Sequence, residues 1–382
     1  MILLVSLLLG HLRAQDQQWL QYRIADRKTG WTPEFRDWQI ELQANRPQGV
    51  RLPKFKHSNP CFGRWKTPLS EGGFRWFALD RSRANRPYYL LYIDSNGDGH
   101  LDDEQVIKGQ TGVDSAGFWP VRVTLKGHEG AVTYHMIIQV IWRMGQQPLC
   151  LVRSGCWYEG QVKIDERMVN CILLDYTANG TFDDASLDPE NADKIIIGEQ
   201  GTRSAAVGRL VDVNGVFYEL QVAREGGSIR LRKPTDLRFG SIKVPSGLTM
   251  LTIAGLNGQF YLKPQDRICQ APVGTYGLYG WQIEQKNEKG KVWSATGSFQ
   301  GQKRPTIELT DGRQVDLDIQ GPLVSRLEVR RASSGYVIGH VLEGQLGEQV
   351  TLMVDSSRPR PPKLRIWNQQ RTFGEVFNFA YG

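Results

Sequence analysis

Apolar and polar positions alternate with a period of two along most of the chain, and stretches with a helical period near 3.6 are scarce. The runs "FRWFALD" (74–80) and "YYLLYID" (88–94) flank a turn-rich "RSRANRP", and "VRVTL" and "VTYHMIIQVIW" flank "KGHEG". Further on, "LVDV" and "VFYELQVA" flank Asn214-Gly215, and "IRLRK" follows. Side chains in a strand point alternately to its two faces, so these runs predict successive antiparallel strands. Asn214-Gly215 is the strongest hairpin signal, because a type I′ turn needs positive φ at both central residues. From about 265 to the end, eight short runs recur at spacings of roughly ten residues, the habit of a β-sandwich. They are "TYGLYGWQIEQK", "KVWSATG", "PTIEL", "QVDLDI", "SRLEVRR", "GYVIGHVL", "EQVTLMV" and "KLRIWN". The expected fold is mostly β: antiparallel sheets over 74–264, then a β-sandwich-like domain over 265–382. Before them, 15–73 holds one strand candidate, "DWQIEL", and a Pro-, Gly- and basic-rich stretch that reads as irregular cover.

Composition changes this picture little. With 40% hydrophobic and 23% charged residues over 382 positions, the chain has enough apolar surface for two or three folded domains. The formal charge of +7 is spread along the chain, in "RLRKP", "RLEVRRASSG" and "SSRPRPPKLRI", with no basic run interleaved with aromatics. That argues for a solvated basic surface and against nucleic-acid binding. The opening "MILLVSLLLGHLRAQDQ" has an apolar run from Ile2 to Leu9, too short to span a bilayer, and a cut site after Ala14. It predicts a signal peptide over 1–14 and a secreted or periplasmic protein, a buried N-terminal strand being the other reading. No later segment has the length of a transmembrane span. The five cysteines form no CxxC pair, which argues against a structural zinc site. Either Cys150 or Cys156 bridges Cys171, or all are buried thiols.

The one concentrated chemical signal is "LYIDSNGDGHLDDEQ" (91–105), which is followed at the same internal spacing by "CILLDYTANGTFDD" (171–184). Counted from Asp94, the first loop offers Asp94, Asn96, Asp98, the backbone of His100, and Asp102 at positions 1, 3, 5, 7 and 9, with Gly99 at position 6. A tight turn around a hard cation points alternate oxygens inward, and position 6 must be glycine for the bend. Leu101 at position 8 is expected to anchor the loop in the core. Position 12 is Gln105, so Asp103 or Glu104 has to complete the ligand set. The second loop places Asp175, Thr177, Asn179, Gly180, Thr181, Phe182 and Asp183 at the same offsets. This reads as a duplicated strand and loop unit whose second copy has fewer charged ligands. The stretches 94–105 and 175–193 hold 11 of the 40 acidic residues and no Lys or Arg. Asx turns alone can also shape such loops.

The DxNxDG order resembles the calcium loops of EF-hand, dockerin and thrombospondin type 3 repeats. Together with the leader and the β-rich remainder, the chain resembles uncharacterised secreted bacterial proteins described as EF-hand-like. The resemblance implies bound calcium and supplies no activity. No HExxH, GxSxG or P-loop is present. His135 reads as a satisfied core or edge residue and not a base, and Asp165 with Glu166 is a carboxylate pair that could serve glycoside hydrolysis only if the fold set the two across a cleft, which sequence adjacency does not do. The functional expectation is an exported calcium-binding protein with a structural or binding role toward a glycan or cell-surface protein. The alternatives are a carbohydrate-binding module, with Trp281, Trp293 and Trp367 as the candidate aromatics, and a glycan-acting hydrolase.

Overall fold

The computed structural model describes residues 17–25, 33–128, 130–143, 145–199, 201–299, 301, 304–319, 322–333 and 335–380. The leader expected over 1–14 lies outside the described residues. The chain forms two compact units, Met1–Pro234 and Thr235–Gly382, both built mainly from antiparallel pairs. Among the described residues no helix is long and apolar enough to cross a membrane.

The division falls at Pro234 and not near 264. Phe239–Lys243 pairs with Ile268–Pro272, and Leu248–Gly255 pairs with Gly274–Lys286, so hydrogen-bonded ladders bridge the expected boundary. Nor is 15–73 a separate cover. Gln17–Trp19 pairs with Ser228–Arg232, Gln21–Ile24 with Cys156–Ile164, Trp38–Ile40 with Leu149–Ser154, and Leu42–Gln43 with Cys61–Lys66. The segment thus supplies a strand to each of the four sheets of the first unit. Trp38–Ile40 falls within the expected strand "DWQIEL", and the strands before it escape pattern reading because they are only three and four residues long.

The hairpins follow the alternation. In Ser115–Gly127 the side chains of Val121, Val123 and Leu125 enter the core, while Arg122 and Lys126 face solvent. Each such burial is worth about 1.5–3 kcal/mol before entropy. Asn214 and Gly215 have φ of 56° and 84°, as the type I′ turn between Leu210–Val213 and Val216–Val222 requires. Both acidic loops join neighbouring antiparallel strands. The first runs from Leu90–Ile93 to its partner Ile107–Lys108, the second from Arg167–Leu174 to its partner Lys194–Ile197.

In the second unit an eight-stranded sheet accompanies a three-stranded one, in which Phe239–Lys243 and Gln314–Asp316 run parallel. Trp281 is buried, and its Nε1–H donates to the buried Glu348 carboxylate at 2.9 Å, which removes it from any sugar-binding face. Trp293 and Trp367 remain exposed. All five cysteines are free thiols, and burial pushes Cys150, Cys156 and Cys171 up to about 12. Their chemistry is therefore that of small apolar side chains.

Gly63 shows how closely the first unit is packed. It lies directly across from Phe77 in the ladder, and a Cβ added there would stand 2.2 Å from the Phe77 ring. Gly63→Ala is expected to cost about 1–3 kcal/mol by overpacking. A urea midpoint equal to wild type would show that the ring does not lie across Gly63.

Candidate metal centre: two acidic loops

In the first loop, the strand Leu90–Ile93 delivers Asp94 to the bottom of the turn. Gly97 N–H donates to its Oδ1 at 2.7 Å and Gly99 N–H to its Oδ2 at 3.1 Å. Two Asx turns follow, with Asp98 N–H on Asn96 Oδ1 (2.9 Å) and His100 N–H on Asp98 Oδ1 (2.8 Å). Leu101 is fully buried among Phe62, Ala78, Leu90 and Tyr92, as its position-8 anchor role requires. Its N–H donates to Arg51 O at 2.9 Å.

The second loop repeats part of this wiring at the same offsets, in the position-6 and position-8 N–H groups and the position-5 Asx turn. Gly180 N–H donates to Asp175 Oδ2 (2.7 Å), and Thr181 N–H closes an Asx turn on Asn179 Oδ1 (2.8 Å). Phe182 is buried, with its N–H on Arg224 O at 2.9 Å. Gly180 has φ of 91°, and a Cβ on it would stand 2.6 Å from Leu125, so glycine is required there twice over.

The loops differ in depth and in charge. Asn96, Gly97 and Asp98 are exposed, whereas Asp175, Thr181 and Asp193 are wholly buried. Beneath the first loop lies the buried Arg75 guanidinium. It donates to Asp94 O (3.0 Å), Thr124 O (2.6 Å) and Ser70 Oγ (2.6 Å), and stands 3.7 Å from Asp94 Oδ1. A Cβ at Gly97 would lie 2.8 Å from it. In the second loop no Lys or Arg among the described residues makes an ion pair with Asp175, Asp184 or Asp193. Lys194, next to Asp193, gives its Nζ to Pro189 O at 2.6 Å instead.

Not every expected ligand faces inward. Asp102 pairs with the Arg51 side chain at 3.3 Å and is turned toward the neighbouring segment; the His100 imidazole accepts from Arg51 N–H at 3.1 Å, while the ligand expected of His100 is its backbone carbonyl and not this ring. Glu104 folds back on the Ser95 N–H and hydroxyl. Asp103, which the spacing made only an alternate, stands 3.3 Å from Asn96 Nδ2. In the second loop Asp183 is exposed and Asp184 turns in, accepting from Thr177 Oγ1 (2.8 Å), Asn179 Nδ2 (2.6 Å) and Thr181 Oγ1 (3.2 Å). Asp193 braces the loop from its far end, accepting from Tyr176 N–H (3.0 Å) and Asp184 N–H (2.9 Å).

Three side-chain partners of the second loop come from elsewhere in the chain. Tyr134 O–H donates to Asp175 Oδ2 at 2.7 Å, Trp65 Nε1–H to Ala178 O at 2.7 Å, and Trp38 Nε1–H to Tyr176 O at 2.8 Å. Trp65 and Tyr134 stack with ring centroids 5.6 Å apart.

Among the described residues, no three His, Cys, Asp or Glu side chains are gathered as a ready metal-ligand group. The second loop nevertheless offers an all-oxygen set suited to a hard cation: Asp175, Asp184, Thr177 and Asn179. Asp184 is engaged by hydroxyl and amide donors that a cation would have to displace. Burial raises Asp94 and Glu104, while the His100 N–H lowers Asp98. Burial pushes Asp175 up to about 6 against the pull of Tyr134 and the loop N–H groups, with Asp184 adding to the rise. Asp193 is raised by burial and by the charges of Asp175 and Asp184.

Elsewhere, a cleft lined by Glu34, Phe35, Trp119, Gln139 and Arg153 shares no residue with either loop. Glu34 brings a carboxylate to its wall. Asp165 is an exposed turn residue paired with Lys233 at 2.9 Å. No protein-family model, curated protein or solved structure matches the chain.

The Asp175 shift has a sign. A carboxyl whose folded pKa exceeds the unfolded value of about 3.9 binds more protons when folded, so its contribution falls as pH rises from about 4 through about 6. In divalent-free buffer, wild type should lose on the order of 3 kcal/mol relative to Asp175→Asn across that window. Urea titrations at several pH values measure this. A difference that is flat, or that runs the other way, would show Asp175 to be ionised without penalty.

Proposed function

We propose that both acidic loops are calcium sites and that the chain is an exported, calcium-stabilised β-rich protein. Its role is structural or binding, at the cell surface or in the periplasm. The observation that carries this reading is the second loop: buried carboxylates set among neutral oxygen donors, without an ion-paired partner. Burying negative charge without a counter-charge is costly, and a divalent cation removes that cost. The matching hydrogen bonds at matching offsets support a duplicated strand and loop unit in which the first copy has recruited Arg75 as its cation.

This ranking reverses the one that ligand charge suggests. Asp98 and Asp102 give the first loop more formal charge, but Arg75 offsets part of it, Asp102 is spent on Arg51, and the loop is solvated. The second loop is the tighter site, and its occupancy stabilises the first unit.

Calcium at a hundred times its dissociation constant should add about 2.7 kcal/mol to the folded state. Thermal melts with calcium or chelator, on wild type, Asp175→Asn and Asp98→Ala, test the reading. The calcium-dependent shift is expected to survive Asp98→Ala largely intact and to be mostly lost in Asp175→Asn. A melting temperature indifferent to chelator would overturn calcium binding, and a shift lost only in Asp98→Ala would restore the first loop as the principal site.

A further inference from the structure

The strands Lys363–Trp367 and Gly374–Asn378 form a two-stranded sheet of their own. Such a hairpin is marginal in water unless something covers it. The register puts Arg365, Trp367 and Val376 on one face and Leu364, Ile366 and Phe377 on the other. Both faces are open: Ile366, Trp367, Phe373, Val376 and Phe377 keep 40%, 52%, 59%, 46% and 43% of their surface exposed. Gly374 lets the indole lie flat across the hairpin, since a Cβ there would stand 2.5 Å from the Trp367 ring. Large apolar side chains exposed side by side on a folded domain mark an interaction site.

The same segment is strongly basic. Arg358, Arg360, Lys363, Arg365 and Arg371 lie between Asp355 and Glu375 with no acidic residue among them. The Arg365 guanidinium carbon is 5.4 Å from the Trp367 ring centroid, so cation and aromatic are presented together. Arg365 and Trp367 are two residues apart on one strand, and the hairpin register adds Val376 to the same face. At its base the hairpin is tied to the strand Gly335–Glu343 by the His340 and Phe379 rings, 5.6 Å apart.

We propose that this hairpin docks on the surface of an anionic lipid bilayer. The cations match phosphate headgroups, and the indole and aliphatic side chains suit the boundary between headgroups and acyl chains. Neither signal suffices alone, and the two together give stable attachment. A second copy would bring five cations against five. A nucleic acid would take the cations and stack the aromatics, yet leave Leu364, Ile366 and Val376 in water.

The test is co-sedimentation of the full chain, in calcium-free buffer, with phosphatidylcholine vesicles that contain or lack phosphatidylglycerol. Binding is expected only to the anionic vesicles, and to weaken with salt. Each cation near such a surface is worth roughly fivefold in affinity, so Lys363→Gln with Arg365→Gln should weaken it at least about tenfold. Trp367→Ser with Phe377→Ser should abolish it while leaving the circular dichroism spectrum and melting temperature unchanged, because neither side chain is in a core. Equal binding to neutral vesicles, or none to anionic ones, would overturn the proposal. So would self-association or oligonucleotide binding that depends on Trp367 and Phe377 in a chain that ignores vesicles.

Discussion

The carboxylate of Asp175 is the constraint around which the first unit is arranged. It is withdrawn completely from water and held by the Tyr134 hydroxyl and the N–H groups of Asn179 and Gly180. An anion in that position is tolerable only if every surrounding donor is held in place, and the donors come from far apart in the chain. Trp65 of Cys61–Lys66 stacks on Tyr134 and donates to the loop at Ala178. Trp38 of Trp38–Ile40 reaches Tyr176 O. Phe182 packs edge-on against Tyr158 of Cys156–Ile164 and bonds to Arg224, just beyond Val216–Val222. Residues of three sheets and of a turn of the fourth thus meet at one loop, which makes it the junction of the unit.

The first loop shows the other solution to the same problem. Its position-1 aspartate is also buried and also receives the position-6 glycine N–H, but a guanidinium lies alongside. Arg75 stays buried because its donors reach three acceptors besides the Asp94 carboxylate. One backbone pattern therefore carries its charge in two ways: internal neutralisation at a solvated edge, and a buried cluster in which no Lys or Arg among the described residues makes an ion pair with Asp175, Asp184 or Asp193. Under the proposed reading this difference decides which loop responds to calcium.

Much of this was legible in the chain itself, and the limits have physical causes. Alternation at Val121, Val123 and Leu125 and the Asn214-Gly215 turn specify hairpins through local geometry, so local reading recovers them. The loop template was legible because glycine at position 6 and an apolar residue at position 8 are steric demands of a tight turn. The domain boundary near 264 was not, because strand pairing between 239–243 and 268–272 leaves no mark in composition. The setting of the ligands was not legible for a related reason. The charge of Asp98 can be read from a sequence, but its solvation, the Arg75 beneath its loop and the Tyr134 hydroxyl on Asp175 are long-range facts. Likewise only the fold distinguishes Asp184, turned inward, from the adjacent Asp183.

Amide hydrogen exchange at Gly180 tests most directly whether the second loop is a buried, cation-responsive junction and not a surface turn. Its N–H, donating to a buried carboxylate at 2.7 Å, should open only with the whole first unit, and its protection should rise with calcium by the same free energy as global stability. Exchange at the rate of an exposed loop, unchanged by calcium, would contradict that account.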